Sequence, residues 1–228
     1  MKYPWLVWLL SVCVQLAGCR STPQLPVALA DNTLSNLNGR FGVAMTELPK
    51  VDTSFPGAGC LLCLATAATA NSSLTKHTHA LTAEDLAALK DGVAGKLRKR
   101  GLDVAVIAEN LNPKPLQDFS GGGVDIAKKD FRVLKEKYKV DHLVVIDITK
   151  LGFERNYSAY FARGEPTATL EGTIFMLDLS TNKYDFYQQI NQSKGAEGAW
   201  DEPADFPALT NAFYAVVESG KDAALQPF

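Results

Sequence analysis

The closest pairing of reactive side chains in the sequence is Cys60-Leu61-Leu62-Cys63, two thiols separated by two residues. Three chemistries fit that spacing. A local disulfide would close a small loop if the segment is a turn or the start of a helix. Two reduced thiols would pack among apolar neighbours as small hydrophobes. A redox pair would cycle between the two states, but it needs polar or cationic neighbours that favour the thiolate, and Leu61, Leu62 and Leu64 do not supply them. His77 and His79 extend the pattern to Cys-x2-Cys-x13-His-x-His. The gap between those histidines is tighter than the three to five residues of ordinary zinc sites. They read as solvated residues ahead of a helix, so no metal site and no cofactor are assigned.

Three further clusters could do chemistry. Trp200-Asp201-Glu202-Pro203-Ala204-Asp205 sets three carboxylates beside an aromatic ring, as a sugar-cleaving site would need. The same residues serve equally to start a helix, with Pro207 in its first turn. Arg155, Tyr157, Tyr160, Phe161 and Arg163 form an aromatic and cationic stretch, which Tyr184, Phe186 and Tyr187 could extend across neighbouring strands. From these, Arg155, Tyr157, Tyr184 and Tyr187 are the candidate partner surface, because Tyr and Arg dominate binding hot spots. Gly121-Gly122-Gly123 has no Gly-Lys-Ser/Thr after it and reads as a loop. No catalytic residue is assigned.

The sequence opens with an address. Lys2 precedes an apolar stretch, Trp5 to Leu16, too short to span a bilayer. It ends in Leu16-Ala17-Gly18-Cys19, which resembles the lipobox of bacterial lipoproteins: a branched residue, two small ones and an obligatory Cys. The resemblance implies that residues 1–18 are a signal peptide and that Cys19 carries a diacylglyceryl group and an acylated amino group, anchoring the chain stably. Residue 20 is Arg, not the Asp of the inner-membrane retention pattern. The implied location is the outer membrane, periplasmic face, with the inner membrane left open.

The elements that must position these groups follow from composition and periodicity. The chain has 228 residues, 46% hydrophobic and 21% charged, which supports a sizeable core. A net charge of −2 lacks the clustered cations of a nucleic-acid binder. Residues 19–38 read as lipidated N-terminus and tether, and 39–228 as one periplasmic α/β domain. Strands are expected over 39–48, 102–108, 140–148, 153–161, 167–179 and 184–190. Helices are expected over 82–100, with Thr82 as its cap and Gly101 just beyond its end, over 125–138 and over 207–225. The order predicts a single sandwich: a mixed sheet of about five strands with three helices largely on one face. Ser180-Thr181-Asn182-Lys183 reads as a hairpin connection. The state of residues 60–70 is left open.

Two segments carry a wider resemblance: Lys137-Tyr138-Lys139-Val140-Asp141-His142-Leu143-Val144-Val145-Ile146, entering a strand from a helix, and Leu177-Asp178-Leu179-Ser180-Thr181-Asn182, turning out of one. Over residues 80–225 the chain resembles periplasmic lipoproteins related to the curli-secretion lipoprotein CsgG and the TolB amino-terminal domain. That resemblance implies a non-enzymatic scaffold or assembly component of an envelope machine, bound to the membrane through Cys19, with an envelope protein or further copies of itself as partner. The alternative is an envelope enzyme acting on glycan or thiols. The lipobox yields the first test. Cys19→Ser should abolish radioactive palmitate labelling and leave precursor or unanchored protein on membrane fractionation; continued labelling and membrane retention would refute the anchor.

Overall fold

The computed structural model describes residues 23–30, 34, 37–202 and 205–228. Cys19 and the signal peptide lie outside the described residues, as do Pro203 and Ala204. Strands β1 (Phe41–Thr46), β2 (Asp52–Ser54), β3 (Val104–Leu111), β4 (His142–Glu154), β7 (Thr167–Asp178) and β8 (Lys183–Gly195) form one six-stranded sheet; β5 (Tyr157–Ser158) and β6 (Phe161–Ala162) form a separate hairpin. Helices are α1 (Leu61–Ala70), α2 (Ser72–Thr78), α3 (Leu89–Lys99), α4 (Leu134–Tyr138) and α5 (Pro207–Leu225). The expected three helices and single sheet are therefore corrected to five helices and two sheets among the described residues. The mixed-sheet α/β character stands: β1 pairs parallel with β3 and β4, β2 pairs parallel with β4, and β4, β7 and β8 run antiparallel.

β4 is the centre. Side chains alternate across a strand, and β4 is apolar on both faces, as a doubly covered strand must be. Val144, Ile146 and Ile148 join one buried cluster with Phe41, Val43 and Met45 of β1 and Leu170, Ile174 and Met176 of β7. Leu143 and Val145 join a second with Ala44, Phe175 and Leu177. α3 and α5 cover the first face through Val93, Leu97, Leu209, Phe213 and Val216. The second is covered by Ala127, Phe131 and Leu134.

The strand expected to end at 148 instead runs to Glu154, and the separate strand expected from 153 is not formed. Its register against β7 shifts between Ile148 and Lys150. The extra residue, Thr149, is a β-bulge. It resets the alternation so that Ile148, Leu151 and Phe153 all face the first cluster. A two-residue period read across the bulge ends early. A second shift, between Met176 and Leu177 of β7, places the extra residue Asp185 on β8. Tyr184 and Tyr187, three apart, thereby share a face with ring centroids 5.1 Å apart.

Two helical expectations need correction. A 3-10 turn spans Glu84–Ala88 and the α-helix starts only at Leu89, so Thr82 is not its cap. The far end matches the expected stop: Gly101 has φ +85°, its N–H donates to Arg98 O and that of Leu102 to Leu97 O, the paired bonds of a Schellman ending. The helix expected from 125 shrinks to Leu134–Tyr138. Residues 125–131 are instead fastened to the β7–β8 turn by Asn182, fully buried and left-handed (φ +63°). Asn182 Nδ2 donates to Ala127 O and Lys129 O, and its Oδ1 accepts from Phe131 N. Those side-chain bonds replace the helical ones that the sequence pattern suggests.

His142 sits at the start of β4, stacked on Phe41 at 4.9 Å. Its Nδ1 is 3.1 Å from Asp185 Oδ2 and its Nε2 3.3 Å from Asn38 O. Both partners are acceptors, and only the imidazolium donates from both nitrogens. Burial opposes the charge, but the hydrogen bond and charge of Asp185, with Asp178 nearby, outweigh it and hold the His142 pKa above its ordinary value. A raised folded-state pKa gives stability that is complete below about pH 6.5, the unfolded value, and is lost as pH rises through the folded value. His142→Gln should therefore lower Tm by several degrees at pH 5.5, since a hydrogen bond to a charged group contributes about 1.5–3 kcal/mol. The gap to the parent should narrow with rising pH; a pH-independent gap in thermal melts would refute the charged His142.

Candidate functional site

Cys60 and Cys63 are bonded to each other. The segment left open in the sequence is a helix, α1, and Cys60 is its N-cap, with extended backbone (φ −121°, ψ 156°). The side-chain acceptor is sulfur: the Cys63 N–H donates to Cys60 Sγ at 2.9 Å. Cys60 is exposed, whereas Cys63 is only 4% exposed, beneath the helix with Ala67. The pair thus joins an exposed residue at a helix N-terminus, where backbone N–H groups favour negative charge, to a buried one in the first turn. The first turn of α1 has no acidic residue to oppose such a charge.

The rest of α1 lacks the polar face of an ordinary surface helix. Leu61 is 90% exposed, Leu62 67% and Leu64 also exposed. The β5–β6 hairpin stands beside them. Ala159 takes φ +52°, rare for a residue with a Cβ, and its N–H donates to Gly57 O at 3.1 Å. That turn brings Tyr160 Oη to 3.8 Å from Cys60 Sγ and leaves Phe161 73% exposed. Leu61, Leu62 and Leu64 follow Cys60 in the chain, and Tyr160 reaches it from the hairpin, next to the exposed Phe161. A shallow groove of about 660 Å³ adjoins them, lined by Leu64, Ala68, Phe55, Thr75, Lys76 and His79 among others.

A buried hub holds this end together. Asn71, between α1 and α2, donates from Nδ2 to Tyr157 Oη and to Ala67 O, both at 2.7 Å. Its Oδ1 accepts from Arg155 Nη1 at 2.8 Å. Arg155 also lies over the Trp200 ring, 4.6 Å from its centroid. Tyr157 packs edge-on against Phe55 and is buried. Behind α1, Thr53 and Thr78 share a hydrogen bond of 3.0 Å.

The candidate partner residues divide into two places. Arg155 and Tyr157 lie in this hub, turned inward. Tyr184 and Tyr187 lie half-buried at the far face against Phe175. Burial, and then Tyr187, push the Tyr184 hydroxyl pKa up to about 12, and burial raises that of Tyr187, so both stay neutral. Phe153 and Phe175 face inward. The exposed aromatics of the Arg155–Arg163 stretch are instead Tyr160 and Phe161, which the hairpin turns outward.

The histidines diverge. His77 Nε2 lies 2.8 Å from Thr210 Oγ1, and His79 Nε2 2.8 Å from Asp52 Oδ1. Among the described residues, no group of three or more His, Cys, Asp and Glu side chains is placed to hold a metal ion. Asp201, Glu202 and Asp205 are exposed. Asp205 does not cap α5, whose N-cap is Phe206 with φ +47° and no side-chain bond, followed by Pro207.

No family model matches the sequence, and no curated protein matches it. Solved structures do. A protein of the DUF330 family from Xanthomonas campestris aligns with TM-score 0.40 and 14% identity over 83% of each chain. A lipoprotein from Neisseria meningitidis aligns with TM-score 0.29 and 9% identity over 79% of this chain and 99% of that one. A PelC dodecamer from Paraburkholderia phytofirmans aligns with TM-score 0.27 and 8% identity, over 91% of this chain and 96% of that one. Likenesses this distant carry no argument about function. No helix among the described residues is long and apolar enough to cross a membrane.

The hub can be tested directly. Asn71→Ala strands the Tyr157 hydroxyl and the Arg155 guanidinium, each costing about 1–3 kcal/mol when left unsatisfied. Urea denaturation should show a loss of about 2–4 kcal/mol. Tyr157→Phe, which removes one hydrogen bond and keeps the ring, should cost only about 1 kcal/mol.

Proposed function

We propose that the protein is a lipid-anchored, periplasm-facing envelope protein that exchanges disulfides with other proteins through Cys60 and Cys63. The supporting observation is the asymmetry of the bonded pair: Cys60 is an exposed residue at a helix N-cap, and Cys63 is buried in the first turn. An exported compartment permits disulfides, and thiol–disulfide exchange needs one accessible sulfur and one resolving sulfur.

The chemistry balances within the two reacting proteins. A partner thiolate attacks Cys60 Sγ; the Cys60–Cys63 bond breaks, a mixed disulfide forms, and the Cys63 thiolate takes a proton from water. A second partner thiol, losing its proton, attacks the partner sulfur of the mixed disulfide and expels the Cys60 thiolate, which is protonated in turn. The partner is oxidised by two electrons to a disulfide, and Cys60 and Cys63 are reduced to thiols. The reverse sequence reduces a partner disulfide. Backbone N–H groups at the start of α1 would stabilise the Cys60 thiolate.

A second reading, a non-enzymatic scaffold of an envelope machine, is favoured by the exposed apolar group around the disulfide, because contiguous apolar surface marks interaction sites. Dithiothreitol-driven reduction of insulin separates the two. Exchange predicts turnover that falls at least about ten-fold in Cys60→Ala and in Cys63→Ala, with Cys63→Ala trapping a mixed disulfide on Cys60. Absence of turnover, with discrete dimers or rings in analytical ultracentrifugation, would favour the scaffold.

A further inference from the structure

We infer that the apolar surface around Cys60–Cys63 is the docking site for the polypeptide whose cysteines exchange there, one with leucine- and phenylalanine-like side chains flanking the reacting thiol. This rests on the exchange reading and names its substrate class. Leu61, Leu62 and Leu64 are exposed within four residues of Cys60, and Tyr160, exposed beside Phe161, places its Oη 3.8 Å from Cys60 Sγ, so a chain seated there brings its own sulfur to Cys60. The adjoining groove of about 660 Å³ begins at Leu64 and gives an extended segment somewhere to run. The groups bordering that groove, His79 paired with Asp52 and Lys76, are polar, as a rim should be.

The alternative occupant of such a patch is the lipid bilayer, and the ends of the chain argue against it. Gln24 Nε2 donates to Val124 O, and the neighbouring Ile126 bridges Lys183 at the start of β8. Lys183 pairs with Asp178, and Asp178 with His142, so the chain enters the domain at the His142 end of β4. The disulfide lies beyond the Glu154 end, with Arg155 and Tyr157 leading to the hairpin. β4 has thirteen residues, which at about 3.3 Å per residue separates those ends by roughly 40 Å. Only three residues lie between Cys19 and Pro23, and the four Cα-to-Cα steps reach at most about 14 Å when fully extended. A lipid on Cys19 therefore holds the opposite end of the sheet to the membrane, and the patch faces the aqueous compartment, where its partners are proteins.

Stopped-flow thiol exchange on the oxidised full-length protein tests this, with a fluorescein-labelled peptide of Leu, Phe and Ser around one Cys, its Ser-for-Cys version, and glutathione. Leu62→Asn and Phe161→Asn alter side chains that lie mostly in solvent and add no charge beside the disulfide, so the fold should persist. Docking predicts saturable binding of the Ser version and about ten-fold faster reaction of the peptide than of glutathione. Each Asn variant should lower the peptide rate about ten-fold relative to the glutathione rate measured on that same variant. Equal peptide rates in parent and variants would overturn docking while leaving exchange intact. Binding of the Ser version without reaction of any thiol would overturn exchange while leaving docking intact. Two further results would overturn the polypeptide as occupant: phosphatidylglycerol vesicles that bind the protein lacking its lipid and lose it on Leu62→Asn, or a self-association in sedimentation that the same change abolishes.

Discussion

A strand buried on both faces must be apolar on both, and β4 meets that demand over its first turns with an unbroken run, Leu143 to Ile146. Everything else is arranged around it. β1 and β7 flank it, and two buried clusters lie on its two sides. α3 and α5 close one, while the other is closed by an irregular segment fastened through Asn182. Burial of this kind contributes roughly 25 cal/mol per Å² of apolar surface, and the facing run Ile174 to Leu177 of β7 repeats the pattern, feeding the same two clusters.

The second demand on β4 is length. The Thr149 bulge keeps the apolar phase, so the strand continues to Phe153 and Glu154 without exposing its core face. Gly152 permits the close parallel approach of β2; its φ of +137° and the Asp52 backbone beside it leave no room for a side chain. Lys150, between Glu154 and Glu171, adds ion pairs along the same stretch. The extended strand delivers Arg155 and Tyr157 to Asn71, and Asn71 fixes the junction of α1 and α2. The position of the disulfide thus depends on a one-residue insertion in a strand at the centre of the sheet.

The two ends of the sheet differ in chemistry. At the His142 end, charged and hydrogen-bonded groups dominate: His142 with Asp185, Lys135 with Asp141, and Lys183 with Asp125. At the Glu154 end, beyond the Lys150 ion pairs, exposed leucines and the Tyr160–Phe161 hairpin lie near the Cys60–Cys63 disulfide. The proposed anchor and docking surface would occupy these opposite ends.

What the sequence determined by itself is local. Alternation located β1, β3 and the start of β4; helical spacing located α3 and α5; Gly101 marked a helix end through its tolerance of positive φ. Cys60 and Cys63 were legible as a pair, but it is the helix start at α1 that brings their Cα atoms to 5.0 Å, since three extended residues would hold them too far apart to bond. The tertiary structure decided the rest, because it depended on groups distant in sequence. Alternation cannot be read through a bulge, so β4 was divided in two. A helical pattern over 125–138 was overruled by the buried Asn182. Whether Tyr157 or Tyr160 faces solvent depended on a left-handed Ala159 and on Asn71, 86 residues away from Tyr157. Local pattern specifies which faces are apolar; only packing decides which of them find a partner, and those of Leu61, Leu62, Leu64 and Phe161 find none within the described chain.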